Sequence, residues 1–171
     1  LEVLPAFPDA RILDLGGGLG VPDRRGQAGF DLGRLDQVLA ETLGGRDLEL
    51  WLEPGRYLVA ECGVLLSRVT QLKTKGQYRY LGISTGMNSL IRPALYGAYH
   101  DIFNLSRIGE KADQHYRVVG PICESGDVIG ESRFLPSSEE GDVILVANTG
   151  AYGRVMSSSY NRRSPAEELI V

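Results

Sequence analysis

The chain has 171 residues, 43% hydrophobic and 23% charged, an ordinary globular composition with length for one sizeable core or two small ones. A net charge of −4 and a pI near 5.2 argue against a nucleic-acid or acidic-membrane partner, which would want a basic face. No apolar run approaches the ~20 residues that span a bilayer, and no basic-then-apolar leader is present. The two cysteines, Cys62 and Cys123, lie far apart without CxxC spacing, which fits a reduced, cytoplasmic protein better than a disulfide scaffold.

The sequence opens at Leu1 without a methionine and stops in the apolar run "EELIV", so it reads as cut from something longer. "RILDL" (residues 11–15) predicts a buried strand running into a glycine cluster. Leu32, Leu35, Val38, Leu39 and Leu43 recur at helical spacing, and Gly44-Gly45 stops that helix. "LELWL" (residues 48–52) predicts the next strand, and Leu58, Cys62, Leu65, Leu66 and Val69 a second helical face. Strand–helix–strand with short connections predicts a parallel βαβ unit.

From about Val69 the pattern changes. "VTQLKT", Lys75-Gly76 and "YRYLGIS" predict a hairpin, and "YRVVG", "DVIGES" and "GDVILVANTGAYG" continue as short strands with glycine-rich turns. An isolated βαβ unit would leave bare sheet edges, and a complete (β/α)8 barrel needs ~250 residues. The expected fold is therefore α+β. Residues 1–67 would be the last βα units of a TIM-like barrel, and residues 68–171 an all-β barrel or sandwich.

"DLGGGLG" (residues 14–20) follows a strand, where bare glycines let backbone N–H groups cradle a phosphate. It matches neither nucleotide-binding fingerprint, and by itself it reads first as a tight turn. In "LEPGR", Pro54 holds Glu53 extended at the strand's C-terminal rim, where α/β barrels keep their catalytic groups. Gly55 and Arg56 would open a helix whose N-terminal field and guanidinium suit a phosphate or carboxylate, or simply a solvated salt bridge. "LIRPALYGAYHDI" (residues 90–102) offers Arg92 beside a proline, a good carboxylate reader, with Tyr96 four residues on; His100 reads as structural. "GPICESGD" (residues 120–127) puts Cys123 beside Glu124 with a second carboxylate at Asp127. His100 and His115 show no metal-ligand spacing with it, so a metal site is not expected. "NTGAYG" (residues 148–153) presents Tyr152 on a loop.

Taken together and in this order, "GGGLG", "EPGR", "RPALY", "CESGD" and "GAYG" resemble the second half of the diaminopimelate decarboxylase family, from about Ile12 to Asn161. That family is one of the alanine-racemase-like decarboxylases that use pyridoxal 5'-phosphate. The resemblance implies an α/β barrel followed by a β domain, a cytoplasmic homodimer with shared sites, and conversion of meso-diaminopimelate to L-lysine and CO2.

It also implies roles for individual residues. Gly16, Gly17 and Gly18 would hold the cofactor phosphate, with Gly55, Arg56 and Tyr152 adding phosphate and substrate contacts. Glu53 would pair with the pyridine nitrogen and make the ring an electron sink. Arg92 and Tyr96 would hold the substrate's far carboxylate and Glu124 its far amino group. Cys123 would donate a proton into the neighbouring subunit's site. The family's cofactor-bearing lysine has no counterpart here, since Lys73, Lys75 and Lys111 all lie in the β portion, and a ring-stacking histidine is also missing. With that lysine absent, the isolated piece is expected to be inactive. Ser84-Thr85 before "GMN" resembles the branch fused to an aspartate kinase. Two alternatives remain: an ornithine or arginine decarboxylase of the same fold, whose substrate would not need Arg92, and a non-catalytic relative kept for dimerisation or regulation.

Overall fold

The computed structural model describes residues 3–171, which form two compact units. One comprises the residues up to Pro22 with Gln27–Leu58; the other comprises Asp23–Gly26 with Val59–Val171.

The first unit is the predicted βαβ. Strand β1 (Ile12–Asp14) leads to helix α1 (Leu32–Leu43) and strand β2 (Glu49–Trp51), and β1 pairs with β2 in parallel, Leu13 opposite Leu50. The helix is capped at its start by Asp31, whose Oδ1 accepts from the Arg34 N–H at 2.8 Å. It ends at Gly44, whose N–H donates to Ala40 O. Leu43 is buried, while Trp51 remains 49% exposed.

The predicted helical face through Leu65, Leu66 and Val69 is not formed. Helix α2 covers only Gly55–Val59, a single 3-10 turn follows at Ala60–Cys62, and strand β3 runs from Leu65 to Lys75. Residues 65–68 pair antiparallel with residues 143–146, which makes them strand rather than helix, and just before them Gly63 must be bare, since a Cβ there would lie 2.6 Å from Gly150 Cα. Burial then alternates, with Ser67 and Val69 inside and Leu66 and Arg68 outside. Residue 67, the boundary expected from sequence, falls inside β3, and the compact units divide between Leu58 and Val59.

In the second unit β3 turns into β4 (Tyr78–Ile83) as the hairpin signal predicts, through Gly76-Gln77, one residue later than the expected Lys75-Gly76, with Gly76 at φ +59. Helix α3 (Arg92–Tyr96), β5 (Ile102–Asn104), β6 (Gln114–Val119), β7 (Val128–Leu135) and β8 (Val143–Val146) complete it. The sheet order is β5-β8-β3-β4-β6-β7. β4 and β6 pair in parallel and the other neighbours antiparallel, so of the expected barrel or sandwich the chain forms one mixed sheet. Its edge strands β5 and β7 approach each other, curling it nearly into a barrel. Gly130 permits that approach, since a Cβ there would meet Ile102 Cδ1 at 2.8 Å. Leu81, Ile83, Leu90, Val118, Ile129, Ile144 and Val146 fill the interior. Strand β5 carries no sequence signal beyond three residues and was not expected.

Residues 23–26 join this unit through charge. The Arg24 guanidinium lies 4.5 Å and that of Arg133 3.8 Å from the Tyr99 ring centroid, and Arg25 N–H donates to Asp101. At the start of β8, Asp142 accepts from Asn104 (2.8 Å), the Glu139 N–H (2.9 Å) and Arg107 Nε (2.9 Å). Burial pushes the Asp142 carboxyl up, but these donors outweigh it and hold the pKa below the usual range. Its stabilisation is therefore complete above the ordinary carboxylate pKa and lost as pH falls through the lower, folded value. Urea midpoints measured from pH 7 downwards should fall on the acid side, and Asp142→Asn should flatten that fall; an unaltered slope would refute the assignment.

Candidate functional site

In the first unit the glycine bend and Glu53 are built against each other. β1 ends at Asp14, whose Oδ1 accepts from Gly16 N–H at 2.8 Å and turns the chain. Gly16 and Gly18 have φ of +67 and +85, in the left-handed region that glycine occupies without strain. The Glu53 N–H donates to Gly16 O at 2.7 Å, and a Cβ on Gly17 would lie 2.5 Å from the Glu53 carbonyl oxygen. The bend therefore has to be bare, and its middle glycine admits no side chain. Such a side-chain-free run beside a rim carboxylate fits an anionic group bound by backbone amides. Gly55 and the half-buried Arg56 follow at once, but α2 is only five residues long, so the helix-field argument for an anion there lapses.

In the second unit Arg92 opens α3 and Pro93 fixes its first turn. The helix stops at Gly97 (φ +64), whose N–H donates to Pro93 O while Ala98 N–H reaches Arg92 O. Arg92 is only 8% exposed, whereas Tyr96, one turn on, is 65% exposed. The Arg92 guanidinium lies 6.0 Å from the Tyr152 ring centroid and 3.4 Å from His100 Nε2.

The loop after β8 carries Tyr152 at φ +60, 46% exposed. Thr149 N–H donates to Gly63 O and Gly150 N–H to Ala60 O. A Cβ on Gly150 would sit 2.0 Å from Val59 O, so the residues after α2 grip this loop backbone to backbone. Two segments ninety residues apart in sequence thus fix where Tyr152 stands.

The turn bearing Cys123 and Glu124 is held from beneath by Asp127, which is 3% exposed. Its Oδ2 accepts from Ile122 N–H and its Oδ1 from Met87 N–H, both at 2.6 Å. Burial raises its pKa, and these two N–H groups oppose the rise only in part. A Cβ on Gly86 or Gly120 would come within 2.3–2.4 Å of that carboxylate, so both glycines make room for it. Asp127 is thus the anchor of the turn rather than a second reacting carboxylate. Cys123 and Glu124 are exposed on its outer side, and the Tyr160 hydroxyl donates to Glu124. That hydrogen bond and the Glu124 charge raise the Tyr160 pKa, with a smaller contribution from Cys123.

Each unit therefore assembles its own candidates: Gly16, Gly17, Gly18, Glu53 and Gly55 in the first, Arg92 with Tyr152 and Cys123 with Glu124 in the second. Sequence reading passed over Tyr160, and nothing in its spacing flags it. It also set His100 aside; its placement eight residues after Arg92 gains meaning only from the loop that folds it back. Among the described residues no three His, Cys, Asp or Glu side chains gather as metal ligands, and no helix is long and apolar enough to cross a membrane.

Residues 29–150 match the C-terminal sheet domain of the pyridoxal-dependent decarboxylases. The chain is 47% identical to the diaminopimelate decarboxylase of Pseudomonas aeruginosa, over 94% of its own length and 38% of that protein's. The crystal structure of Helicobacter pylori diaminopimelate decarboxylase complexed with L-lysine is 36% identical, with a TM-score of 0.84 over 96% of this chain and 40% of that one. The lysine decarboxylase of Selenomonas ruminantium is 25% identical, with a TM-score of 0.79 over 96% and 43%. The chain thus spans about 40% of the length of the relatives it matches.

Proposed function

From its membership of the pyridoxal-dependent decarboxylases, whose C-terminal sheet domain it carries, we propose that this chain is the substrate-reading part of a diaminopimelate decarboxylase. The full-length enzyme would convert meso-diaminopimelate to L-lysine and CO2. The observation that carries this reading is the buried Arg92 guanidinium beside Tyr152, because a substrate with a second carboxylate needs a cation held ready in that place.

The bare bend at Gly16, Gly17 and Gly18 and the adjacent Glu53 fit pyridoxal 5'-phosphate, with its phosphate on backbone amides and its ring nitrogen toward the carboxylate. When bound, that group accepts the electron pair released as CO2 leaves. Glu53 would keep a proton on the ring nitrogen, and Gly55, Arg56 and Tyr152 would add contacts to phosphate and substrate. Arg92 and Tyr96 would orient the substrate through its distal carboxylate, and Glu124 through its distal ammonium. The Cys123 thiol, presented on an anchored turn, would hold the proton delivered to the substrate's α-carbon in the neighbouring subunit of a homodimer. The exposed apolar side chains of the βαβ unit, such as Trp51, are those of a sheet segment that continues in a larger α/β barrel. On this reading the first unit is the cofactor part and the second the substrate and dimer part.

CO2 release by the full-length enzyme with pyridoxal 5'-phosphate tests the proposal. Meso-diaminopimelate should exceed L-lysine and L-ornithine as substrate by at least about 100-fold in kcat/KM. The isolated chain should release none, since Lys73, Lys75 and Lys111 all lie in the β portion. Equal rates for L-lysine would favour the second reading, a decarboxylase of substrates with one carboxylate, which the similarity to the Selenomonas enzyme supports.

A further inference from the structure

We infer that His100 is a positioning residue: its imidazole ties Arg92 to the end of β8 and sets the guanidinium where it can read the substrate's distal carboxylate. This rests on the reading of Arg92 given above.

His100 is 1% exposed and lies in the loop between α3 and β5. That loop lies alongside the end of β8, with Ala147 N–H donating to Asp101 O at 2.9 Å and Ile102 paired with Val146. His100 Nδ1 is 2.8 Å from Ala147 O, and Nε2 is 3.4 Å from Arg92 NH1. The chemistry of these partners assigns the tautomer. A carbonyl oxygen can only accept, so Nδ1 carries the hydrogen; a guanidinium can only donate, so Nε2 offers its lone pair. The ring is neutral in this arrangement, since an imidazolium would point a second donor at a cation.

The consequence is geometric. Ala147 immediately precedes the loop that presents Tyr152, so one imidazole couples the start of α3 to the segment that carries the aromatic partner of Arg92. Arginine has a long side chain with many rotamers, and fixing it beforehand removes an ordering cost that substrate binding would otherwise bear. An apolar side chain of similar size would fill the space but accept nothing from the guanidinium.

The test uses the full-length enzyme, with KM and kcat for meso-diaminopimelate and, in parallel, for L-lysine, which lacks the distal carboxylate. His100→Asn keeps a donor for Ala147 O but offers nothing at the Nε2 position, whereas His100→Gln can place an acceptor there. The Asn variant should raise KM for meso-diaminopimelate by about tenfold or more, with kcat and L-lysine turnover nearly unchanged. The Gln variant should stay within about threefold of the parent KM. A thermal melt of each variant separates folding from function. His100→Phe, if it folds, should behave as the Asn variant, and adding it to Arg92→Ala should change KM no further. An Asn variant with the parent KM overturns the inference, as does an equal KM rise in the Gln variant. If Arg92→Ala itself leaves KM unaltered, the reading of Arg92 has failed. If Arg92→Ala raises KM and His100→Asn does not, only the role of His100 has failed.

Discussion

Replacing Arg92 by alanine in the full-length enzyme should lower kcat/KM for meso-diaminopimelate by about 100- to 1,000-fold, the size of effect seen when one member of a buried charge pair is deleted. The guanidinium is already withdrawn from water at 8% exposure and already oriented, so it should meet a carboxylate at little further cost. Its loss would leave the substrate's distal carboxylate desolvated without a counter-charge. Lysine should not rescue: a point charge on a flexible stem cannot reproduce a planar fork set between His100 and Tyr152. Decarboxylation of L-lysine should be indifferent to both changes. Steady-state kinetics with the two substrates decide the matter, and an Arg92→Ala enzyme that retained its preference for meso-diaminopimelate would remove the basis for the proposed substrate.

Asp127→Ala should destabilise the protein by about 3 kcal/mol or more, because it strands two buried N–H donors, those of Met87 and Ile122. It would also leave a void between Gly86 and Gly120, whose missing side chains exist to admit the carboxylate. Asp127→Asn retains one acceptor oxygen and should cost less. Because burial raises the Asp127 pKa, the contribution of its protonated form is full below the ordinary carboxylate pKa and fades as pH rises through the folded value. The Asn variant should therefore trail the parent by more at acid pH than at pH 8. Urea unfolding of the three proteins at pH 4 and pH 8 measures both effects. An Asp127→Ala protein as stable as the parent would mean that the turn does not need its anchor. If the turn loosens without unfolding, the Cys123 thiol should alkylate faster while Cys62 reacts as before.

What the sequence by itself determined was local. The βαβ order, the stop at Gly44-Gly45 and a hairpin turn at Gly76 each follow from a few neighbouring residues acting through the backbone. The sequence also placed a bare glycine run after a strand and a carboxylate at a strand end, because both are properties of short segments. Tertiary structure decided the rest. Leu65, Leu66 and Val69 suit a helix or a strand equally well by spacing, and antiparallel pairing with β8 and β4 selected the strand. The mixed, nearly closed sheet depends on β4 pairing with β6 in parallel, a long-range choice with no local signature. Asp127 was only a second carboxylate in the turn and proved to be its anchor, while His100, read as structural, proved to touch Arg92. In both cases the side chain's partners come from segments distant along the chain. Residue type fixes what a group can donate or accept, and only the folded path of the backbone fixes to whom.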